Sequence, residues 1–549
     1  MSIQTVPQST PQSPPRHSAS ITADSRERGS ILLMAVVFTL IVTISVAALV
    51  TTTLQQSRTA NSSIDHTGAM ALAEGVTESA QKTMLTEVAN FQEPTLEGVV
   101  TLGGVEYDYT IATAGEQFSR TDDDGVTMVI QPYTIDAEAT IDQSTSRITR
   151  IVELTMTPIF QYMIFYDSDL EILPGPSMTL GGRVHTNGSM YLGTGNTLTV
   201  DTQYFRATGG IYRERKDSGS TTGGTVNIQV QGSTDYVEME NDMDSENSDW
   251  LALAMDTWNG TVQSGAHGVS EVGSPEIATI KAYDENGNPG YYHENAGLVI
   301  IDGVAYDGDG DEVTLPAGAV TEVSMYDGRE GQYVTVTEID VDLLNDSSHF
   351  PENGLVYAYR TDSNSDDPNG VRLTNGSELS APLTLVSEGP VYIQGDYNTV
   401  DKKGAAVIAD AVNLLSNSWD DSKTPGSLPS ASDTWYNVAM VTGNVPTPDG
   451  GGAYSGGFEN LPRFHESWSG RTASIRGAFI NLYESEIADS PWFYGGDSYR
   501  APRRDWLFDP DLNDIDNMPP FTPSAVYFRR VTWDDNVPVP FAAVVEEAD

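Results

Sequence analysis

One apolar segment, residues 31–50, constrains this chain more than any other feature. It reads ILLMAVVFTLIVTISVAALV and contains no charged residue, Pro or Gly. As a helix rising about 1.5 Å per residue it would be roughly 30 Å long, which matches the hydrocarbon core of a bilayer. The sequence contains no second stretch of this kind. We therefore expect one transmembrane helix in this part of the chain.

Charges on either side of the segment predict its orientation. Arg16, Arg26 and Arg28 precede it, and the next charged residue after it is Arg58. Basic residues beside a membrane span favour the cytoplasmic side. The N-terminal residues are thus predicted to be cytoplasmic, and the rest of the chain is predicted to lie beyond the membrane.

A cleaved secretory signal is the alternative interpretation, because residues 45–48 could supply the small-residue exit of such a signal. The helical pattern continues past that point, however. No Pro occurs between Arg16 and Glu93, and no Gly occurs between Gly29 and Gly68. An apolar stripe also continues at Leu54, Ile64, Met70, Leu72, Val76 and Met84. We expect one helix over residues 30–92, with residues 1–29 as a disordered leader.

The string RERGSILLMAVVFTLIVTISVAALVTTTLQQSRTANSS, followed by ALAEGVTESAQ, resembles the N-terminal segment of PilX-like minor pilins and other type IV pilin-like proteins. The resemblance implies that a leader peptidase cuts between Gly29 and Ser30. It also implies that the helix is held in a bacterial inner membrane and docks with other pilin-like subunits of a type IV pilus or a type II secretion-like assembly. Major pilins carry Glu at the fifth position after the cut, where this chain has Met34. That departure favours a minor component over a bulk filament subunit.

The charge balance and the absence of cysteine exclude several classes of protein. The 549 residues include 28 Lys and Arg against 78 Asp and Glu, which gives a formal net charge of −50. Such a surface repels phosphate, so nucleic acid is not expected as a partner. Without cysteine the chain is neither a lipoprotein nor a disulfide-stabilised domain.

Beyond the helix the sequence predicts a mainly β chain. Alternating residues over 105–114, 126–141 and 146–158 predict a small antiparallel sheet. From residue 160 onward, short apolar runs separated by Gly or Asn indicate a β-solenoid, with a β-sandwich as the alternative. GRVHTNG, GPVYIQGDYNT, VIADAVNLLSNSW and LPRFHESWSGRTASIRGAFINLY resemble segments of large bacterial envelope proteins of unknown function, which combine pilin-like N-termini with β-helical bodies.

These patterns predict seven regions. They are a leader (1–29), a pilin-like helix (30–92), the small sheet (93–160), first solenoid coils (161–212), an acidic Gly/Asp-rich insertion or lobe (213–380), further coils (381–490) and an irregular aromatic and Pro-rich capping tail (491–549).

Calcium is the only cofactor that the sequence suggests. Asp307, Asp309 and Asp311 place oxygen ligands at alternate positions, as metal-binding loops do. The EF-hand pattern is not met, because Glu312 stands where Gly is needed and Gly318 where the bidentate Glu is needed. We expect a solvated turn here.

Other candidate residues are predicted to be structural. His185 and His465 are expected to be hydrogen-bonded within the fold, and Arg500, Arg503 and Arg504 to neutralise nearby aspartates. No catalytic motif occurs, so the sequence predicts a structural, membrane-anchored envelope protein and no enzyme. The alternatives are an anchored or secreted β-helical enzyme that hydrolyses or cleaves polysaccharide, or an adhesin.

Overall fold

The computed structural model describes residues 27–89, 92–274, 280–448, 450–492 and 498–534. The described chain is mainly β-structure with one long apolar helix. It divides into two compact units. The described residues of 1–73 and 139–146 form one unit, and those of 74–138 and 147–549 form the other.

The helix α1 runs from Glu27 to Ala89 without interruption. Its interior lacks Pro, and Pro94 excludes continuation of the helix beyond that point. The chain that follows is fixed by Glu87, whose carboxylate accepts hydrogen bonds from the backbone N–H of Thr95 at 2.8 Å and from its hydroxyl at 2.7 Å. The helix was predicted to end at residue 92 and ends at Ala89, three residues earlier.

An antiparallel sheet follows α1. Its first strands are β1 (Glu97–Leu102), β2 (Val105–Thr113), β3 (Phe118–Thr121), β4 (Thr127–Ile141) and β5 (Ser144–Pro158). The β1–β2 hairpin turns at Gly103 and Gly104, whose φ angles of +60° and +85° suit a two-residue turn that L side chains rarely adopt. Strands β2, β4 and β5 cover the apolar side of α1 from Val76 to Met84, with Ile135 and Val152 in the same core.

The body begins after β5 with short strands, most of which pair with the strand three positions along in the sequence. They are β6 (Tyr162–Tyr166), β7 (Leu170–Ile172), β8 (Met178–Gly181), β9 (Arg183–Thr186), β10 (Met190–Leu192), β11 (Thr197–Asp201), β12 (Phe205–Ala207), β13 (Ile211–Tyr212), β14 (Thr225–Gln229), β15 (Tyr236–Glu238) and β16 (Val262–Gln263), with helix α2 (Trp250–Trp258) before the last. Every third strand joins the same parallel ladder: β6 with β9 and β12, β7 with β10 and β13, and β8 with β11 and β14.

The second half of the body contains helices α3 (Tyr291–Asn295) and α4 (Val341–Asn345) and further strands. These are β17 (Leu298–Ile301), β18 (Val304–Asp307), β19 (Glu312–Val313), β20 (Val320–Asp327), β21 (Gln332–Asp340), β22 (Leu355–Tyr359), β23 (Gly370–Thr374), β24 (Leu383–Ser387), β25 (Val391–Gln394), β26 (Ala405–Ala409), β27 (Val412–Leu415), β28 (Thr434–Asn437), β29 (Ala439–Thr442), β30 (Arg463–Phe464), β31 (Thr472–Gly477), β32 (Phe479–Asn481), β33 (Arg503–Phe508) and β34 (Ser524–Asp534). Short 3-10 turns occupy Ile159–Gln161, Gly265–His267, Phe458–Asn460, Pro510–Asn513 and Ile515–Asn517.

The two halves of the body join through a parallel pairing of β32 with β6. This pairing completes a 12-stranded sheet in the order β16-β12-β9-β6-β32-β29-β26-β24-β22-β17-β18-β19. The first half therefore runs outward from the middle of the sheet, and the second half starts at the far end and returns to the middle. One buried column crosses the sheet through Leu298, Val356, Leu385, Val407, Met440, Phe479, Ile164, Val184, Phe205 and Val262.

Antiparallel strands stand at the outer positions of several ladders. Strand β15 pairs antiparallel with β14, β18 with both β17 and β19, and β20 with β21. The outermost strand of each hairpin is then the edge of its ladder, and β15 and β19 keep that edge short, at three and two residues.

Two predicted regions differ from the observed topology. Residues 213–380 were expected to be an insertion or lobe, but β17 and β22 belong to the 12-stranded sheet and β21 and β23 to a second ladder. The tail was expected to be irregular, but β33 continues a parallel ladder and β34 pairs antiparallel with β5. The small sheet therefore takes its last strand from the far end of the described chain, and residues 159–523 are inserted between two neighbouring strands.

Candidate membrane anchor

The N-terminal part of α1 exposes an apolar surface. The exposed side chains are Leu32, Leu33, Met34, Val36, Val37, Phe38, Leu40, Ile41, Val42, Ile44, Val46, Leu49 and Val50. By length and composition this helix is able to cross a membrane. Large apolar side chains cost about 25 cal/mol for each Å² that they expose to water, so a surface of this kind is typical of contact with lipid or with another apolar surface.

Threonine hydroxyls in this part of α1 are satisfied within the helix. The hydroxyl of Thr39 donates to the carbonyl of Ala35 at 2.7 Å, and that of Thr43 donates to the carbonyl of Thr39 at 2.7 Å. Thr52 makes the same bond to Ala48 at 2.8 Å. In hydrocarbon each polar group needs an internal partner, and these bonds supply one without water. The threonines are therefore compatible with a membrane span.

The predicted leader junction lies inside α1. Gly29 and Ser30 belong to the first turns of the helix, which begins at Glu27. Met34, the fifth residue after the junction, is 74% exposed. The predicted leader itself lies largely outside the described residues, and cleavage at Gly29 stays a prediction.

A buried arginine connects the C-terminal part of α1 with the sheet. Arg150 on β5 is 1% exposed. Its guanidinium donates to Gln81 Oε1 at 3.1 Å and to Glu78 Oε1 at 3.4 Å, and Glu74 Oε1 lies at 3.8 Å. The sequence analysis missed this cluster. The available signal was the spacing of residues 74, 78 and 81, which places three oxygen acceptors on one face of a helix.

The calcium candidates form a hairpin turn. The Asp307 carboxylate Oδ1 accepts the backbone N–H of Asp309 at 3.1 Å and that of Asp311 at 3.0 Å. This bonding fixes the β18–β19 turn and explains why aspartate suits position 307. In the part of the chain that the structure describes, no group of three or more His, Cys, Asp or Glu side chains is arranged to hold a metal ion.

The two histidines are buried in the body. His185 Nε2 lies 3.2 Å from Asn187 Oδ1, and its ring stacks on Phe165 with centroids 5.6 Å apart. His465 Nε2 lies 2.8 Å from Asn413 Oδ1. Burial lowers the pKa of each histidine to about 4, so both rings are neutral at pH 7.

Arg500, Arg503 and Arg504 were expected to neutralise the nearby aspartates 505, 509 and 511, but these aspartates have other partners. Asp505 pairs with Arg476 at 2.8 Å. Asp509 and Asp511 pair with Lys402 at 2.7 and 2.8 Å. Arg504 instead donates to the backbone carbonyl of Glu459, at 3.2 Å through Nε and 3.0 Å through Nη2. The expectation was wrong because each of these aspartates pairs with a cation from a distant part of the sequence, either Arg476 or Lys402.

A buried carboxylate lies beside Arg504. Glu459 is 4% exposed, and its Oε2 accepts the backbone N–H of Leu173 at 3.2 Å. Burial raises the pKa of Glu459 to about 7, which the Arg504 guanidinium counteracts in part. No sequence motif marks this residue, because its burial depends on long-range packing.

Comparisons with known proteins do not establish a family. No protein-family model matches the chain, and no curated protein matches it. Among solved structures, the competence-associated pilin ComZ from Thermus thermophilus aligns over 87% of this chain and 98% of its own, with 9% identity and a TM-score of 0.25. A TM-score this low does not establish a common fold.

Proposed function

We propose that this chain is a structural, membrane-anchored, pilin-like envelope protein that carries a large acidic β-solenoid outside the cytoplasm. Its place would be that of a minor component in a type IV pilus or type II secretion-like assembly. The observation that carries the proposal is the exposed apolar surface of α1 over residues 32–50, on a helix whose later residues pack on an antiparallel sheet.

The solenoid assignment is supported by the rotation of strands among parallel ladders. The β7–β10–β13 ladder keeps its register, so that equivalent side chains stack on one another, as in the column of Leu170, Met190 and Ile211. Stacked coils need such a repeat, because each coil buries its inward side chains on the next. A β-sandwich instead has antiparallel sheets with Greek-key connections.

The orientation and processing in this proposal rest on the sequence. The leader would remain cytoplasmic, the leader peptidase would cut between Gly29 and Ser30, and partners would be other pilin-like subunits. The net charge of −50 would then belong to the exterior, where it favours solubility and disfavours nucleic acid. We assign the chain no catalytic role and no required cofactor.

The experiment that tests the anchor places charges within the apolar run. In the full chain expressed in a bacterium, Leu40→Arg combined with Ile44→Arg should move the protein out of the alkali-resistant membrane fraction. Each arginine costs about 2.5–3.5 kcal/mol at the centre of a span. The matched control is Leu54→Arg with Ile64→Arg, two exposed positions on the same helix outside the run. The proposal fails if the wild-type chain is not in the membrane fraction, or if both double variants behave alike.

A further inference from the structure

An open cleft of about 920 Å³ lies between the body and the antiparallel sheet. Ligand sites of small molecules commonly have volumes of this order. One wall comes from the end of α1 and the sheet, and the other from α3 and the segment before β34. The lining includes Glu93, Gln131, Tyr133, Tyr291, Glu294, Asn295 and Phe521.

Aromatic side chains form a fixed part of the wall. Phe521 contacts Tyr291 edge to face, with ring centroids 6.0 Å apart, and Tyr291 contacts the buried Tyr292 at 5.2 Å. Tyr133 lines the cleft from strand β4. Phe521 has a φ of +55°, a left-handed conformation that is unusual for a bulky side chain. Strain of this kind persists where the surroundings hold a side chain in place, and it is common at binding sites.

Amide groups in the same wall are oriented by the fold. The Gln131 Nε2 donates to the carbonyls of Gly115 at 3.0 Å and Pro132 at 3.1 Å. The Asn295 Nδ2 donates to the carbonyl of Tyr291 at 2.8 Å. These bonds use the amide nitrogens and so fix the orientation of both side chains. The amide oxygens of Gln131 and Asn295 are therefore held in defined directions as hydrogen-bond acceptors.

The charged side chains among the described lining residues are all acidic. Glu93 and Glu294 contribute carboxylates, and none of the described residues that line the cleft is Lys or Arg. An anionic polymer would therefore meet repulsion and no compensating partner. Flat aromatic faces combined with amide and carboxylate oxygens suit a ligand that has apolar C–H faces and many hydroxyl groups.

We propose that this cleft binds a neutral oligosaccharide. The aromatic rings of Tyr133, Tyr291 and Phe521 would stack on the faces of sugar rings, and the amides and carboxylates would bond the hydroxyl groups. The proposal goes beyond the anchoring function and is independent of it, since the test below measures binding by the solubilised chain and is indifferent to membrane insertion.

The test is calorimetric titration of the full chain, solubilised in a detergent without a sugar head group. The probes are cellotetraose, maltotetraose and tetra-N-acetylchitotetraose, with tetragalacturonate as the anionic comparison. At least one neutral tetrasaccharide should bind with a Kd below about 1 mM, as expected of a weak surface site. Tetragalacturonate should bind at least about 10-fold more weakly, because it brings carboxylates to a site that already holds two.

Variants locate the binding. Tyr133→Ala should weaken the best probe by about 10-fold or more, as expected when a central aromatic contact is lost. Phe521→Gly should do the same. This substitution relieves the positive φ but removes packing against the body core, so circular dichroism must show that the variant is folded. Tyr333→Ala, at a tyrosine that is 55% exposed on β21, is the control and should change the Kd by less than about twofold.

Three results would overturn the proposal. In the first, none of the three neutral probes binds the wild-type chain. In the second, both cleft variants bind as the wild type does. In the third, tetragalacturonate binds more tightly than every neutral probe. Each of these outcomes leaves the membrane-anchoring proposal intact, because that proposal depends on α1 alone.

Discussion

Phe479 on β32 lies directly opposite Ile164 on β6 in parallel register, although the two residues come from opposite ends of the body. Both side chains are fully buried in one column, and Phe479 stacks on Trp506 with centroids 5.1 Å apart. This contact joins the outward-running half of the body to the returning half. The two halves should therefore unfold together.

Phe479→Ala should destabilise the whole body by about 3–5 kcal/mol, the usual cost of removing a buried phenylalanine. Denaturant titrations followed by circular dichroism and by tryptophan fluorescence measure this free energy of unfolding. The two probes should report the same single transition. A loss below about 1 kcal/mol, or transitions that separate, would show that the halves are independent. Trp435→Ala, at a tryptophan that is 46% exposed, is the control.

Arg150→Ala should cost about 2–3 kcal/mol, because it removes a fully buried side chain together with its hydrogen bond to Gln81. The midpoint of thermal unfolding measures this loss. Arg147→Ala is the matched control on the same strand, since the Arg147 side chain is 61% exposed and its pair with Asp136 is a surface pair. Equal effects of the two substitutions would contradict the role assigned to Arg150.

Glu459 should make stability fall as pH rises. Its pKa of about 7 in the folded chain exceeds the ordinary value of 4.5, so the folded state holds the proton more tightly than the unfolded state. The favourable contribution is complete below pH 4.5 and disappears as pH rises to about 7, a span of about 3 kcal/mol.

Glu459→Gln should remove that dependence. As pH rises from 4.5 to 8, the free energy of unfolding of the wild-type chain should fall relative to that of the variant. Urea titrations at several pH values measure the difference. Glu352→Gln, at an exposed position, is the control. A constant difference for Glu459→Gln would contradict the raised pKa.

Calcium should have no effect on the β18–β19 turn. Asp307→Ala should cost about 1 kcal/mol through the loss of its bonds to the backbone, and Asp309→Ala should be nearly neutral. Thermal unfolding in the presence of calcium chloride and of EDTA tests this. A rise of several degrees with calcium that Asp309→Ala abolishes would instead support a metal site.

The sequence predicted those parts of the fold that depend on local pattern. Residues 105–114 and 126–141 alternate clearly, and the strands β2 and β4 begin and end within one residue of those limits. The apolar surface of α1 could also be predicted from the sequence, because residues 31–50 lack any charge.

The order of strands could not be obtained in this way. Many short runs in the body have the same apolar pattern, so nothing local indicates that the run containing Phe479 pairs with the one containing Ile164. Strand β34 has the alternation of an ordinary strand, but its partner β5 lies at the other end of the described chain. The cleft was missed for the same reason, because Tyr133 and Phe521 are brought together only by that pairing.

The most direct test of the proposed function is mass spectrometry of the N-terminus of the native protein, isolated from both the membrane and the soluble fractions. A mature chain that starts at Ser30 is the predicted result, because the leader peptidase would cut after Gly29 and leave the apolar helix in place. A chain that starts near Ala48 or Leu49 would contradict the account, since the anchor would have been removed. An uncut start at Met1 or Ser2 would contradict pilin-like processing.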